Sequence, residues 1–196
     1  PDVIKEFRYR FNFEYAENFS KITADIRYRS LSTLDTQLDF RIFAGTFLNN
    51  SSKGDYFSFG LDKANDYLFR LNYLGRSENS GIFSQQYIIA EGGFKSVLPT
   101  RFANQYMLAF NSSFGIWRWV EFYNDVAFLK NKNTPLYFGY NNGIRFNFIH
   151  NILEVYFPLY SNNGWEVSQE SYPQKIRFTL TADVNSIYNF FRRGFL

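Results

Sequence analysis

The chain contains no cysteine and only one histidine. The first absence excludes a disulfide framework and any thiolate metal site. The second excludes a multi-histidine zinc site built within the chain. Long hydrophobic runs are missing as well. No stretch approaches the roughly 18 apolar residues of a membrane helix, and mean hydropathy is -0.32. That value leaves membrane strands open, because a spanning strand is apolar only at alternate positions. A dense Lys/Arg cluster is also lacking, although the formal net charge is +3 and the pI is near 9.0. Charges of opposite sign interleave instead, as in Arg8, Arg10 and Glu14, or Asp39 and Arg41. That pattern argues against a nucleic-acid partner. The sequence starts at Pro1 without a signal sequence, and the expectation is a mature or excised piece with its export signal upstream.

Aromatic side chains, by contrast, are abundant: 25 Phe and 15 Tyr among 196 residues. Such residues favour a pleated surface, so the expected class is all-β. Residues 7–15 set the pattern. Phe7, Tyr9, Phe11, Phe13 and Tyr15 share one parity, and Arg8, Arg10, Asn12 and Glu14 share the other. Side chains alternate faces along a strand, so one face is aromatic and the other charged.

The same alternation predicts about ten strands, with eight or twelve as variants. They cover residues 4–16, 21–29, 34–44, 66–74, 82–96, 101–113, 117–130, 136–148, 152–160 and 174–184. The fifth, 82–96, alternates weakly. Gln85, Gln86 and Glu91 interrupt it, and Gly92–Gly93 marks a bulge or bend. Residues 56–65 are ambiguous. Residues 49–55, 75–81, 131–135, 150–151 and 161–173 read as loops and turns. Residues 185–196 read as a short amphipathic tail after a barrel domain of residues 1–184.

Segments of nine to fourteen residues exceed the roughly five or six of ordinary soluble strands and match the roughly 9–11 needed to cross a bilayer. With no helices to cover the apolar faces, a closed antiparallel sheet resolves both the edges and the two-sided polarity. A small soluble barrel has no room for so many rings inside. The expectation is therefore a transmembrane β-barrel of the bacterial outer membrane with the lipid bilayer as its partner. Phe7, Phe11, Phe13, Phe40, Phe146 and Phe178 should face lipid. Tyr15, Phe19, Trp117, Trp119, Tyr137, Tyr160 and Trp165 should form the interfacial girdles. The longer loops then share the outward side, and the short turns and both termini face the periplasm.

The stretches IFAGTF, DYLFRLNYLGRSE, GIFSQQYIIAEGGFKS, YSNNGWEV and QKIRFTL resemble the C-terminal β-barrel region of gluzincin-type zinc aminopeptidase-like proteins of Bacteroidota. The resemblance implies a barrel that anchors a peptidase-like domain, or one retained without it. The family's His-Glu-x-x-His motif is absent, since Asn151 and Ile152 follow His150. No catalytic, zinc-binding or cofactor-binding residue carries over, and the chain is not expected to be an enzyme or to hold a cofactor.

The chemistry-bearing residues lie on the polar parity. Arg8, Arg10, Arg27, Arg29 and Arg41 cluster on the first three strands with Asp25, Asp35 and Asp39. Glu121 and Asp125 share a face and are expected to pair with Arg145 or Arg118, rather than to form a glycosidase-like carboxylate pair. Arg177 joins them. These residues are expected to fill the lumen as an ion-pair network; the rival reading is an anion pathway. Trp165 is expected at the interface, His150 in a solvated turn, and Arg192–Arg193 either at anionic headgroups or in water. The functional expectation is a membrane anchor or envelope-complex subunit. A narrow pore and a soluble ligand-binding barrel are the alternatives.

Overall fold

The computed structural model describes residues 4–31, 36–65, 80–149 and 153–180. Eleven strands follow one another: β1 (Ile4–Ala16), β2 (Phe19–Leu31), β3 (Gln37–Asn50), β4 (Phe59–Gly60), β5 (Phe102–Ala103), β6 (Tyr106–Trp117), β7 (Val120–Lys130), β8 (Tyr137–Ile149), β9 (Leu153–Ser161), β10 (Gly164–Trp165) and β11 (Arg177–Leu180). Nine form one antiparallel sheet in the order β1-β2-β3-β6-β7-β8-β9-β10, with β11 also pairing β9. The fold is all-β. Among the described residues the sheet is not closed: the outer edge of β1 has no partner strand. The predicted strand at 66–74, the turn at 150–151, Asp35, residues 181–184 and the tail at 185–196 lie outside the described residues.

The period-two pattern sets the register. Phe11 lies opposite Ala24 and Phe13 opposite Ile22, and Phe40 lies opposite Tyr28 and Ser112. Each large group therefore keeps its neighbours of like parity, as a one-sided apolar environment requires.

The predicted fifth strand is the main correction. Ile82–Gln85 is a single 3-10 turn, and the chain that follows to Thr100 is not a strand. Together with residues 56–65 it forms a plug across the polar face of the sheet. Phe94 N–H donates to Leu61 O at 3.0 Å, Gly92 N–H to Gly60 O at 2.9 Å, and Leu61 N–H to Arg101 O at 2.8 Å. Gly92 and Gly93 explain the local geometry. A Cβ on Gly92 would lie 2.8 Å from the Leu61 backbone. Gly93 has φ +70, and a Cβ there would lie 2.7 Å from the Asn111 side chain. The double glycine is thus a site of close chain approach.

Inside the sheet, the polar parity changes character along its length. At the end near the 131–136 turn it is apolar. Phe43, Met107, Ala109, Ala127 and Leu129 from the strands pack on Phe59, Leu61, Phe94 and Leu98 from the plug, and every one of these is buried. Phe19 belongs here too. It was expected in a girdle but is buried against Phe57, 4.7 Å between ring centroids, because it shares the parity of Lys21 and Thr23. Tyr137 likewise packs on this cluster rather than standing at an interface.

The core location makes an energetic prediction. Phe94→Ala should cost about 3–5 kcal/mol, because the plug and strands cannot collapse onto the space it leaves. Ile89→Ala, on the exposed side of the same segment, should stay within about 0.5 kcal/mol. Denaturant unfolding in detergent measures both, and equal losses would contradict a core seated between plug and sheet.

Candidate functional site

Beyond the apolar cluster, the same inner face is lined with charge. Side chains from β2, β3, β6, β7, β8, β9 and β11 line an open-mouthed cavity of about 520 Å³ between strands and plug. Three linked groups of ion pairs build its wall.

The first lies on β2 and β3. Arg27 Nε donates to Asp39 Oδ1 at 3.0 Å, and Arg29 Nη2 to Asp39 Oδ2 at 3.2 Å. The pairing follows from register, since Arg29 stands directly opposite Asp39. One strand position along, Arg41 Nη2 donates to Asp25 Oδ2 at 2.7 Å.

The second group joins strands to plug. Arg41 Nη1 donates to the backbone carbonyl of Glu91 at 3.1 Å and to Asn111 Oδ1 at 3.1 Å. Asn111 Nδ2 donates to Gly92 O and to Asp125 Oδ1, each at 2.9 Å. Lys95, from the plug, places Nζ 2.9 Å and 3.0 Å from the two oxygens of Asp125, which is 0% exposed. The rings of Tyr87, Tyr123 and Tyr156 surround that ammonium at 5.5, 4.9 and 5.7 Å. A cation over aromatic faces is attracted by their quadrupoles, the more so away from water. Tyr87 also donates its hydroxyl to Gly93 O at 2.8 Å. Burial pulls the Lys95 ammonium below the usual lysine range, against the opposing pull of the Asp125 carboxylate. Burial likewise raises Glu91, whose carboxylate accepts the Gly60 N–H at 3.0 Å.

The third group lies on β7, β8 and β9. Arg145 is bonded to Glu121, donates to Ser113 Oγ at 3.1 Å and lies 3.7 Å from Glu154. The register places Arg145 opposite both Glu121 and Tyr156.

The structure therefore brings together Asp25, Arg27, Arg29, Asp39, Arg41, Glu121, Asp125 and Arg145. Three expected details differ. Asp125 is held by Lys95, not by Arg145 or Arg118, and Arg118 lies in an exposed turn. Arg8 is exposed and bonded to Glu6 on its own strand, and Arg10 is exposed too. Both sit on β1, whose inner face the plug does not cover. Arg177 bonds backbone carbonyls, Lys95 O at 3.3 Å and Ser84 O at 3.2 Å, instead of a carboxylate. Lys95, Asn111 and the three tyrosines escaped the sequence reading. For Lys95 and Tyr87 the signal was the weak alternation of residues 82–96 around Gly92–Gly93; Asn111, Tyr123 and Tyr156 carried only the polar parity of their strands.

Protein-family models, characterised proteins and solved structures give no match to this chain. The resemblance to gluzincin-type proteins thus gains no link from them. No cluster of three or more potential metal ligands occurs among the described residues, and His150 lies outside them.

The opposite face is the inverse of the cavity wall. Tyr9 and Phe11 are 68% and 67% exposed, and Phe7, Phe13 and Tyr15 are exposed alongside them. Phe40, Phe146 and Phe178 are partly covered on the same face. Phe40 is covered by Phe110 at 5.9 Å and Phe146 by Phe157 at 5.4 Å.

The ion-pair lock has a measurable consequence. Lys95→Met should destabilise by about 3–5 kcal/mol, because it strands a buried carboxylate. Adding Asp125→Leu should recover most of that loss, because an apolar pair of similar volume carries no desolvation penalty. Urea titration of the single and double variants checks this; a double variant as unstable as the single one would mean that the pair is not the lock.

Proposed function

We propose that this chain is a membrane-spanning β-barrel of the bacterial outer membrane, sealed by its own plug, that serves as an anchor or subunit of an envelope complex. One observation carries the reading: the polarity is inverted. Large rings stand uncovered on one face while paired charges are buried behind the other. In water, exposed apolar patches of this size are costly and mark an interaction surface. Acyl chains reverse the sign of that cost.

Strand lengths support the same reading. The seven long strands have 9 to 14 residues. At about 3.3 Å per residue and about 40° of tilt, they span roughly 23–35 Å, which brackets a hydrocarbon core of about 30 Å. β11 runs antiparallel to β9, so its sense is opposite to that of β1. Together with β11 the long strands make eight, and a seam between β1 and β11 closes an even-numbered antiparallel barrel without a crossover. At Phe178 the outer edge of β11 bonds the plug, with Tyr87 N–H donating to Phe178 O at 2.6 Å. At Phe178 that edge is therefore shared with the plug, which leaves the other residues of β11 for the seam.

Among the alternatives, a constitutive pore is disfavoured by the dry plug–strand cluster that blocks one end of the lumen. A soluble ligand-binding barrel would need its rings turned inward. The anchoring of a peptidase-like domain rests on the sequence resemblance alone.

Insertion tests the reading. Phe11→Arg and Phe40→Arg should each cost about 2–4 kcal/mol of folding free energy in vesicles, the penalty for arginine on a lipid face near the midplane. Arg10→Phe should cost less. Equal tolerance on both faces, or a chain monodisperse without detergent, would reject the membrane reading. An unheated sample that migrates like the boiled one in detergent electrophoresis would reject closure.

A further inference from the structure

We propose that the turn joining β6 to β7, Trp117-Arg118-Trp119, is a clamp that selects lipids whose headgroup carries a net negative charge. The proposal rests on the membrane reading above and assigns the lipid chemistry at one rim of the barrel.

The turn is built to project. The pairing of β6 with β7 shifts register between Gly115 and Trp117. A bulge of this kind re-aims the residues beside it, and Ile116 and Trp117 both stand exposed. Asn147 N–H donates to Trp119 O at 2.8 Å, which ties the far side of the turn to β8. The two indoles lie 6.4 Å apart with planes 30° from each other. Arg118 lies between them in sequence, exposed and without an ion-pair partner among the described residues.

The charge of the rim favours an anion. At this end of the sheet the exposed cations among the described residues are Lys5, Arg8 and Arg118; the carboxylate of Glu6 is taken by Arg8. Indole rings prefer the headgroup level of a bilayer. The exposed guanidinium of Arg118, next to both in sequence, then meets phosphate oxygens in its bidentate geometry, and most favourably where the headgroup carries no cation of its own. The other rim is different. Trp165, from the β9–β10 hairpin, packs on Tyr160 at 5.2 Å, and buried Glu166 follows it in sequence.

The chain has only three tryptophans, so fluorescence separates the rims. Trp165→Phe leaves the Trp117–Trp119 pair as sole reporter; Trp117→Phe with Trp119→Phe leaves Trp165. Each variant is folded into vesicles of phosphatidylcholine and phosphatidylglycerol, seven parts to three, with bromine on the chains of one lipid only. Brominated phosphatidylglycerol should quench the Trp117–Trp119 pair as though its ratio to phosphatidylcholine were about fivefold that of the bulk, a local share of about two thirds, the equivalent of about 1 kcal/mol for one basic residue at an anionic surface. Arg118→Ala should return that quenching to the bulk share, and Trp165 should report the bulk share throughout. Quenching of the pair at the bulk share in the parent chain overturns the clamp, while the quenching itself keeps the membrane reading. No quenching of either reporter by either lipid overturns both.

Discussion

The buried pair of Lys95 and Asp125 is the contact on which the rest of the arrangement depends. Its ammonium comes from the plug and its carboxylate from the strand wall, thirty residues apart in sequence. A lone charge at that depth would cost several kcal/mol. The pair is tolerable because Asn111 and three tyrosine rings complete its surroundings. Once made, it holds the plug over the polar face, and that cover in turn excludes water from Arg41 and the apolar cluster beyond.

The two faces of the sheet are thus solved by different means. The inner face begins as a set of ion pairs and ends as a dry core of Phe43, Phe59, Leu61, Phe94 and Leu129. Among the described residues no segment is laid across the outer face, and on the membrane reading lipid supplies its cover. β1 shows what the cover does. On β2 and β3 the arginines are paired and at least partly buried, whereas Arg8 and Arg10, on the same parity of β1, stay exposed, with no covering strand or plug segment among the described residues.

Most of the long strands were legible from alternation alone, as were the loop-rich and turn-rich ends of the sheet. The pairing of Arg27 with Asp39 and of Arg145 with Glu121 followed from parity and sign. Among the described residues, alternation misled most where a segment with enough Ile, Tyr and Phe to resemble a strand was a plug, and at the start of the last strand, where Tyr172–Lys175 is a helical turn. Residues 82–96 read as a weak strand because Ile82, Tyr87, Ile89 and Phe94 are strand-favouring residues, and β-propensity does not tell a paired backbone from one that lies across the face of a sheet. Phe19 was misplaced for a related reason: its ring suggested an interface, but its parity with Lys21 and Thr23 put it inside.

What the sequence determined by itself was polarity. Side-chain direction in a strand is a local property with a period of two, so rings and charges were assigned to opposite faces without any knowledge of the partners. What only the tertiary structure decided was which charges meet and what fills the centre. Lys95 and Asp125, or Arg41 and the Glu91 carbonyl, are joined by the path of the chain back across the sheet, and that path depends on Gly92, which lets the plug approach the Leu61 backbone, and on Gly93, whose left-handed φ and missing Cβ leave room for the Asn111 and Arg41 side chains.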